Sequence, residues 1–251
     1  MNFIGSLTLF DKEIKRFFKV YQQTIVAPAF TSLLFLLVIN VAIEDRTTYK
    51  FNYIDFLGPG LIIMGMMQNA FANTSSSLLS SKVAGNIVDL LMPPFNVNEI
   101  ILVYSLAAVI RGLLVGILTF ILMFPFVNFE LINIYSLVLF SILGALLLAL
   151  IGLLAGIWAE KFDNMSAITN FIITPLTFLS GTFYSIERLQ EPFYSISLYN
   201  PFYYIIDGFR SGFIISDSET TIRGIIYLTV LNFILYLICY LTLKSGWKLK
   251  S

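Results

Sequence analysis

Long apolar runs dominate this sequence and restrict the folds that it can adopt. A helix needs about 20 apolar residues to cross the hydrocarbon core of a bilayer. Six apolar runs in this sequence have about that length. Hydrophobic residues make up 58% of the chain and charged residues 12%, which excludes an ordinary water-soluble globule. We therefore predict an all-α integral membrane protein with six transmembrane helices. The predicted spans are residues 25–43, 56–77, 100–124, 134–159, 166–183 and 224–243.

Residues 1–24 predict an amphipathic helix in the membrane interface. Apolar side chains recur at alternating steps of four and three residues, and basic side chains fall outside that stripe. A cleaved signal peptide is the alternative, but charges interleaved with phenylalanine and the lack of a small-residue cleavage pattern favour the interfacial helix. The stripe consists of Phe3, Leu7, Phe10, Ile14, Phe17 and Tyr21.

Polar and small residues within the predicted spans indicate where helices meet. Gln68, Asn69 and Asn73 in the second span are expected to face other helices or water, because lipid offers no hydrogen-bond partners. The fourth span repeats small residues at near-helical spacing, which suits close helix packing. These residues are Gly144, Ala145, Ala149, Gly152, Ala155 and Gly156.

The segment between the fifth and sixth spans is too apolar for an ordinary loop and too interrupted to cross a membrane. Pro192 and Pro201 each remove a backbone donor, and Asn200 before Pro201 is typical of an N-cap and a first helical position. We predict two short helices, at 192–199 and from 201 to about 215, within a re-entrant outer segment at residues 185–215. This segment is the expected gate.

Aromatic side chains are concentrated in and just before this segment, which fits an aromatic belt at the membrane interface. The same rings could instead stack on sugars or contact lipid tails. Asp207 and Arg210 are three residues apart and can pair across one helical turn. The rings are those of Phe183, Tyr184, Phe193, Tyr194, Tyr199, Phe202, Tyr203, Tyr204, Phe209 and Phe213. The gate candidates are Gly181, Phe183, Tyr184, Tyr199, Tyr203, Tyr204, Asp207 and Arg210.

Residue types needed for common catalytic chemistry are scarce. The chain has no histidine, which removes the usual general base and the commonest zinc ligand, and its one cysteine, Cys239, lies within an apolar run. It contains no G-x-x-x-x-G-K-[ST] loop to hold the phosphates of ATP. The sequence predicts no catalytic residue, no metal site and no cofactor bound by this chain.

Arg111 is an isolated charge about a dozen residues into the third span, where it costs roughly 2.5–3.5 kcal/mol on insertion scales. No carboxylate occurs within the predicted spans to neutralise it. Its partner is therefore Gln68, Asn69, a carbonyl group, water or an anionic substrate. A structural anchor and a pathway residue both fit this pattern.

Residues 81–94 connect the second and third spans and predict a short helix that ends at Pro93 and Pro94. Its apolar face consists of Ile87, Leu90 and Leu91, with Asp89 near the opposite side. An apolar helix outside the membrane favours a groove on a partner protein. The alternative is a plain loop that packs under the bundle.

Basic residues in the connecting segments predict the orientation, because cytoplasmic loops carry an excess of lysine and arginine. The side that holds both termini carries more of them, so we expect both termini in the cytoplasm and residues 185–215 on the outer face. The basic residues of that side are Lys12, Lys15, Arg16, Lys19, Lys82, Lys161, Lys244, Lys248 and Lys250. Those of the other side are Arg46, Lys50, Arg188, Arg210 and Arg223.

Several motifs resemble those of the permease subunits of type-2 ABC exporters, a family that includes drug, polysaccharide and lipid-linked glycan exporters. The resemblance covers essentially the whole chain, from the amphipathic N-terminus through the six spans. Its motifs are residues 86–94 (NIVDLLMPP), 108–112 (AVIRG), 178–184 (FLSGTFY), 200–204 (NPFYY) and 207–210 (DGFR).

The resemblance implies one permease domain over residues 1–251, in the cytoplasmic (inner) membrane, which moves a lipid-linked glycan, polysaccharide or hydrophobic small molecule outward. Two copies, or this chain and a related permease, would pair around a central pathway. A separate ATPase subunit, in two copies that carry ATP and Mg, would dock at residues 86–92. The docking residues would be Asn86, Ile87, Asp89, Leu90 and Leu91. Membrane lipids, but no nucleic acid, complete the expected partners.

Two other classes of function stay open on the sequence alone. An autonomous ion- or proton-coupled carrier usually needs ionisable groups or unwound helices near the membrane midplane, where these spans offer Arg111 but no acid. An intramembrane enzyme would need a coupled acid, base or nucleophile, which the spacing of residues does not indicate.

Overall fold

The structure is a computed structural model that describes residues 3–43, 53–214 and 218–248. Within these ranges the chain is helical and contains no β-strand, so the predicted all-α fold is confirmed there. Arg46, Lys50 and Lys250, which enter the predicted orientation, lie outside the described residues, as does the 215 end of the predicted gate segment. The α-helices are α1 (Phe3–Phe18), α2 (Ala27–Ile43), α3 (Tyr53–Val83), α4 (Val88–Leu91), α5 (Val97–Met123), α6 (Ile134–Trp158), α7 (Phe162–Ile168), α8 (Thr174–Phe178), α9 (Phe193–Tyr199), α10 (Pro201–Arg210) and α11 (Ser218–Ser245).

Four helical segments among the described residues are long and apolar enough to cross a membrane: Gln22–Ala42, Val97–Met123, Ile134–Trp158 and Ser218–Ser245. The other two predicted spans are also helical but differ in composition or length. Helix α3 has 31 residues and carries a run of polar side chains toward its end. The fifth predicted span is divided into α7, a π-helical turn and α8, of seven, five and five residues. The count of six transmembrane helices stays a prediction.

The fifth predicted span begins and ends earlier than the sequence suggested. It runs from Phe162 to Phe178 instead of 166–183. Pro175 cannot donate a backbone hydrogen bond, and the residues before it form the π-helical turn Thr169–Ile173. After α8 the chain turns at Gly181, whose φ of 75° lies in the left-handed region that glycine tolerates.

Helix α3 lies against α2, α5, α6 and α10, and its most extensive contact is with α6. Gly152 of α6 faces the backbone of Phe71, and a Cβ atom on Gly156 would lie 2.9 Å from the Cβ of Leu78. The Thr74 hydroxyl donates to the carbonyl of Ala149 at 2.8 Å, which joins the two helices. The predicted close-packing surface of the fourth span is therefore confirmed.

Helix α1 packs on α5. Part of its predicted apolar stripe is buried against the bundle and part is exposed. Its buried side chains are Leu9, Glu13 and Phe17, which follow one another at intervals of four residues. Phe3 and Leu7 of the predicted stripe are exposed on the other side. The helix thus has one side for the bundle and one apolar side that suits lipid.

Replacing Gly152 with alanine should destabilise the bundle, because the new Cβ would overlap the backbone carbonyl of Phe71. We expect a loss of about 1–3 kcal/mol, which is typical of overpacking, measured as a lower unfolding temperature in detergent. Gly224 of α11 is the matched control, since its Cβ would make an ordinary 3.4 Å contact with Phe140. Equal losses in Gly152→Ala and Gly224→Ala would show that the α3–α6 approach does not limit stability.

Candidate functional site

The gate candidates at the α10 end of the bundle are connected by one buried arginine. The guanidinium of Arg210 lies 3.7 Å from the centre of the Phe56 ring. Its Nε donates to the carbonyl of Phe56 at 3.2 Å, and its Nη2 donates to the carbonyl of Gly181 at 3.1 Å. Arg210 therefore joins α10, the beginning of α3 and the turn that follows α8.

The anticipated pairing of Asp207 with Arg210 does not form. No ion pair within the described ranges joins these two residues. The arginine side chain extends toward α3, where backbone carbonyls and an aromatic face replace the carboxylate. The sequence could not show this, because the carbonyls belong to residues far from Arg210 in the chain.

The two short helices predicted before and after Asn200 are present as α9 and α10, and α10 ends at Arg210. Asn200 acts as the predicted N-cap, since its Oδ1 accepts from the backbone N–H of Phe202 at 3.0 Å. Its Nδ2 also donates to the carbonyl of Leu176 at 2.7 Å. One asparagine therefore starts α10 and fixes it to α8.

The aromatic rings of this segment fit the predicted interfacial belt only in part. Phe202, Phe209 and Phe213 are buried in the hydrophobic core between α3, α6 and α10. Phe193 and Tyr199 are exposed, as a belt requires. Phe202 and Phe209 are seven residues apart on α10, so the helical spacing turns both inward. Phe213 follows just after the end of α10.

Three gate candidates lie in the turn after α8. The carbonyl of Gly181 accepts from Arg210, and the ring of Phe183 lies 5.3 Å from that of Phe178. The Tyr184 hydroxyl donates to the carbonyl of Phe178 at 3.0 Å. These contacts fold the turn back on the end of its own helix.

The remaining tyrosine candidates lie between α10 and α11. The rings of Tyr203 and Tyr204 are 5.2 Å apart, and Tyr204 lies 5.0 Å from Tyr227 of α11. The Tyr227 hydroxyl donates to the carbonyl of Tyr199 at 3.0 Å. The structure thus brings all the gate candidates of residues 181–210 to one end of the bundle.

Arg111 is far from this end. It is 7% exposed, and its Nη2 donates to the Oδ1 of Asn69 at 3.0 Å, so Asn69 is the protein partner among the two amides that the sequence suggested. Along α3, Asn69 is about 20 Å from Phe56 at a rise of about 1.5 Å per residue. Arg111 and Arg210 therefore belong to two separate sites that α3 connects.

Asn69, Asn73 and Ser77 follow one another at intervals of four residues on α3, and we call them the α3 polar stripe. Arg16 of α1 donates from Nη2 to the Oδ1 of Asn73 at 2.9 Å, and the Ser77 hydroxyl donates to Glu13 at 2.9 Å. Arg16 and Glu13 also pair with each other at 3.1 Å. The sequence did not identify Glu13 as a buried partner, although its spacing of three from Arg16 was a usable signal.

The connection at residues 81–94 contains less helix than predicted. Helix α3 extends to Val83, and only Val88–Leu91 forms a separate helix. Ile87 and Leu90 are buried in one cluster with Leu9 and Leu78, so they pack inside this chain. The exposed residues of this connection are Val83, Ala84, Gly85, Asn86, Val88, Asp89, Leu91, Met92 and Pro94.

Hydrogen bonds from two lysines hold the neighbouring end of α6 in place. Lys82 donates from Nζ to the carbonyls of Ile157 and Ala159 at 2.7 and 2.6 Å. Lys248 donates to Glu160 at 2.9 Å, and this hydrogen bond holds the pKa of the exposed Glu160 carboxyl below its usual value. Across the described ranges no group of metal-ligating side chains is placed to hold an ion.

Comparison with known proteins gives a consistent result. The sequence pattern of the ABC-2 type transporter family matches residues 6–214. The chain is 38% identical over 248 residues to a protein of Escherichia coli K12 named inner membrane transport permease YadH, which covers 97% of this chain and 96% of that protein. Proteins of the same name in Escherichia coli O157:H7 and Shigella flexneri show the same identity and coverage.

Replacing Arg210 with glutamine should loosen the α10 end, because Phe56 and Gly181 lose a buried donor. Leaving a buried acceptor without its donor costs about 1–3 kcal/mol, and we expect faster amide hydrogen exchange in residues 181–210. Arg223→Gln is the control, since Arg223 is exposed and pairs with Glu219 one turn away. If exchange is the same in both variants, Arg210 does not hold the three elements together.

Proposed function

This chain belongs to the ABC-2 type transporter family, and on that premise we propose that it exports its substrate across the inner membrane with energy from a separate ATPase. It is a permease with several membrane-crossing helices. Its relatives named inner membrane transport permease support the proposed location. The chain itself has no phosphate-binding loop for ATP, so hydrolysis belongs to the partner, which would carry ATP and Mg.

The observation that carries this proposal is the row of exposed apolar side chains at residues 88–92. Met92 is 78% exposed and Leu91 40%, although a short helix in water normally turns such residues inward. Exposed apolar side chains outside the membrane mark a protein interaction surface. We assign this surface to the ATPase and place it, with both termini, in the cytoplasm.

The buried side of the same connection offers a route for coupling. Leu90 is 5% exposed and packs with Ile87, Leu9 and Leu78. Movement of the docked loop would therefore be transferred directly to α1 and α3, and α3 reaches the Arg210 cluster at the opposite end. Such rigid transfer is how a packed bundle amplifies a local shift.

Two copies of the chain, or this chain and a related permease, would enclose the pathway, with two ATPase subunits below them. The outer segment at residues 185–215 would be the gate, and Gly181, Tyr184, Tyr203 and Arg210 are placed to hold it. The substrate would be a lipid-linked glycan, a polysaccharide or a hydrophobic small molecule. An autonomous ion-coupled carrier is the competing function, and it requires no ATPase.

The docking surface can be tested with a Met92→Asp variant of the tagged protein purified from its native membrane. A carboxylate at this exposed position would leave the fold intact but should weaken recovery of the ATPase and its stimulated hydrolysis at least tenfold. Leu131→Asp is the control, because Leu131 is also well exposed, at 61%, but lies on the connection between α5 and α6. Leu90→Asp should instead lower thermal stability, since Leu90 is buried.

The proposal fails if no ATPase is recovered after crosslinking from membranes that contain the unaltered protein. Transport in liposomes by the purified chain, driven by an ion gradient alone, would support the carrier instead. If the ATPase is recovered equally with Met92→Asp and with the unaltered chain, the partner is real but the assigned surface is wrong.

A further inference from the structure

More positive than negative side chains contact the α3 polar stripe. Two guanidinium groups, Arg16 and Arg111, approach it from α1 and α5, whereas Glu13 is the one carboxylate in contact with it among the described residues. Glu13 pairs with Arg16. Arg111 has no carboxylate within ion-pair distance anywhere in the described ranges. This part of the bundle therefore holds a buried positive charge without a counterion.

Two buried donors at the same place lack an acceptor. The Nε of Arg111 and the Nδ2 of Asn73 are inaccessible and make no hydrogen bond within the described part of the chain. Both are N–H groups, so what is missing is an acceptor. Buried polar groups in folded proteins are nearly always satisfied. An anion would supply both the charge and the oxygen atoms that this site lacks.

The two arginines donate to asparagines on successive turns of α3, so we infer that one anion can reach both of them. Asn69 accepts a hydrogen bond from Arg111, and Asn73 accepts one from Arg16. These asparagines are four residues apart on α3, or about 6 Å at a helical rise of about 1.5 Å per residue. A phosphate group has several oxygens in a tetrahedral arrangement. Guanidinium groups bind such oxygens through parallel, charge-assisted hydrogen bonds.

We propose that Arg16, Asn73 and Arg111 form a binding site for the phosphate group of an anionic lipid. The Arg16 side chain is 31% exposed and Arg111 is buried, so the phosphate would enter beside Arg16. Phe18 and Tyr21, just beyond Arg16, are exposed and apolar, which suits the acyl chains of a lipid. The inference goes beyond the proposed function, because binding requires neither an ATPase nor transport.

Binding can be measured on the full-length chain in detergent by native mass spectrometry, with dioctanoyl phosphatidic acid as the probe. Dioctanoylglycerol, which has the same acyl chains and no phosphate, is the reference. We expect phosphatidic acid to bind at least tenfold more tightly. Equal binding of the two lipids would overturn the proposal, because the acyl chains alone would then account for the affinity.

Two variants locate the site. Arg111→Gln should weaken phosphatidic acid at least tenfold, whereas Lys15→Gln, which removes the same charge from an exposed position beside Arg16, should change it less than twofold. Asn73→Asp keeps the acceptor for Arg16, removes the unpaired N–H group and adds a negative charge. It should abolish phosphatidic acid binding while thermal stability is unchanged or higher.

The variants also separate binding from folding. If Arg111→Gln does not fold, Asn73→Asp still tests the site, since it adds a counterion. Unchanged lipid binding in a folded Asn73→Asp variant would overturn the proposal and indicate that water satisfies these donors. Inorganic phosphate distinguishes the sources of the anion: displacement of the lipid by millimolar phosphate shows that the phosphate group suffices, and no displacement shows that the lipid is required.

Discussion

The close contact between α3 and α6 determines how the rest of this bundle is arranged. Gly152 and Gly156 let the two backbones approach until Thr74 can donate to the carbonyl of Ala149. In lipid there is no hydrophobic gain from joining two apolar helices, so small residues and hydrogen bonds carry the association. Once α3 is fixed in this way, its beginning is presented to α10 and its polar stripe to α1 and α5.

Three arginines among the described residues are buried or partly buried, and the charge of each is compensated differently. Arg210 is satisfied by carbonyl oxygens and the face of Phe56, and Arg16 by Glu13 and Asn73. Arg111 donates to the amide oxygen of Asn69 and has no carboxylate partner among the described residues. An isolated charge is expensive in a medium of low dielectric, and Arg210 and Arg16 each have several acceptors for it within the chain. Arg111 is the one whose charge an external anion can compensate.

The connection at residues 81–94 has both exposed and buried apolar side chains. Leu91 and Met92 are exposed, whereas Leu90 lies in one buried cluster with Leu9 of α1 and Leu78 of α3. A four-residue helix has little stability of its own. Its buried Leu90 holds it in the hydrophobic cluster, while Lys82 at the end of α3 is hydrogen-bonded to the end of α6. Under the proposed function, movement of this connection by the partner would be passed to α1 and α3 through that cluster.

The sequence by itself determined the helical class, the positions of most helices, the N-cap at Asn200, the small-residue surface of α6 and the family. These features depend on local spacing and composition, which a helix repeats every 3.6 residues. Only the tertiary structure decided that Arg210 bonds carbonyls instead of Asp207, that Leu90 faces inward, and that Glu13 and Arg16 meet Asn73 and Ser77. Each of those contacts joins residues distant in the chain, and their energies depend on which groups are removed from water together.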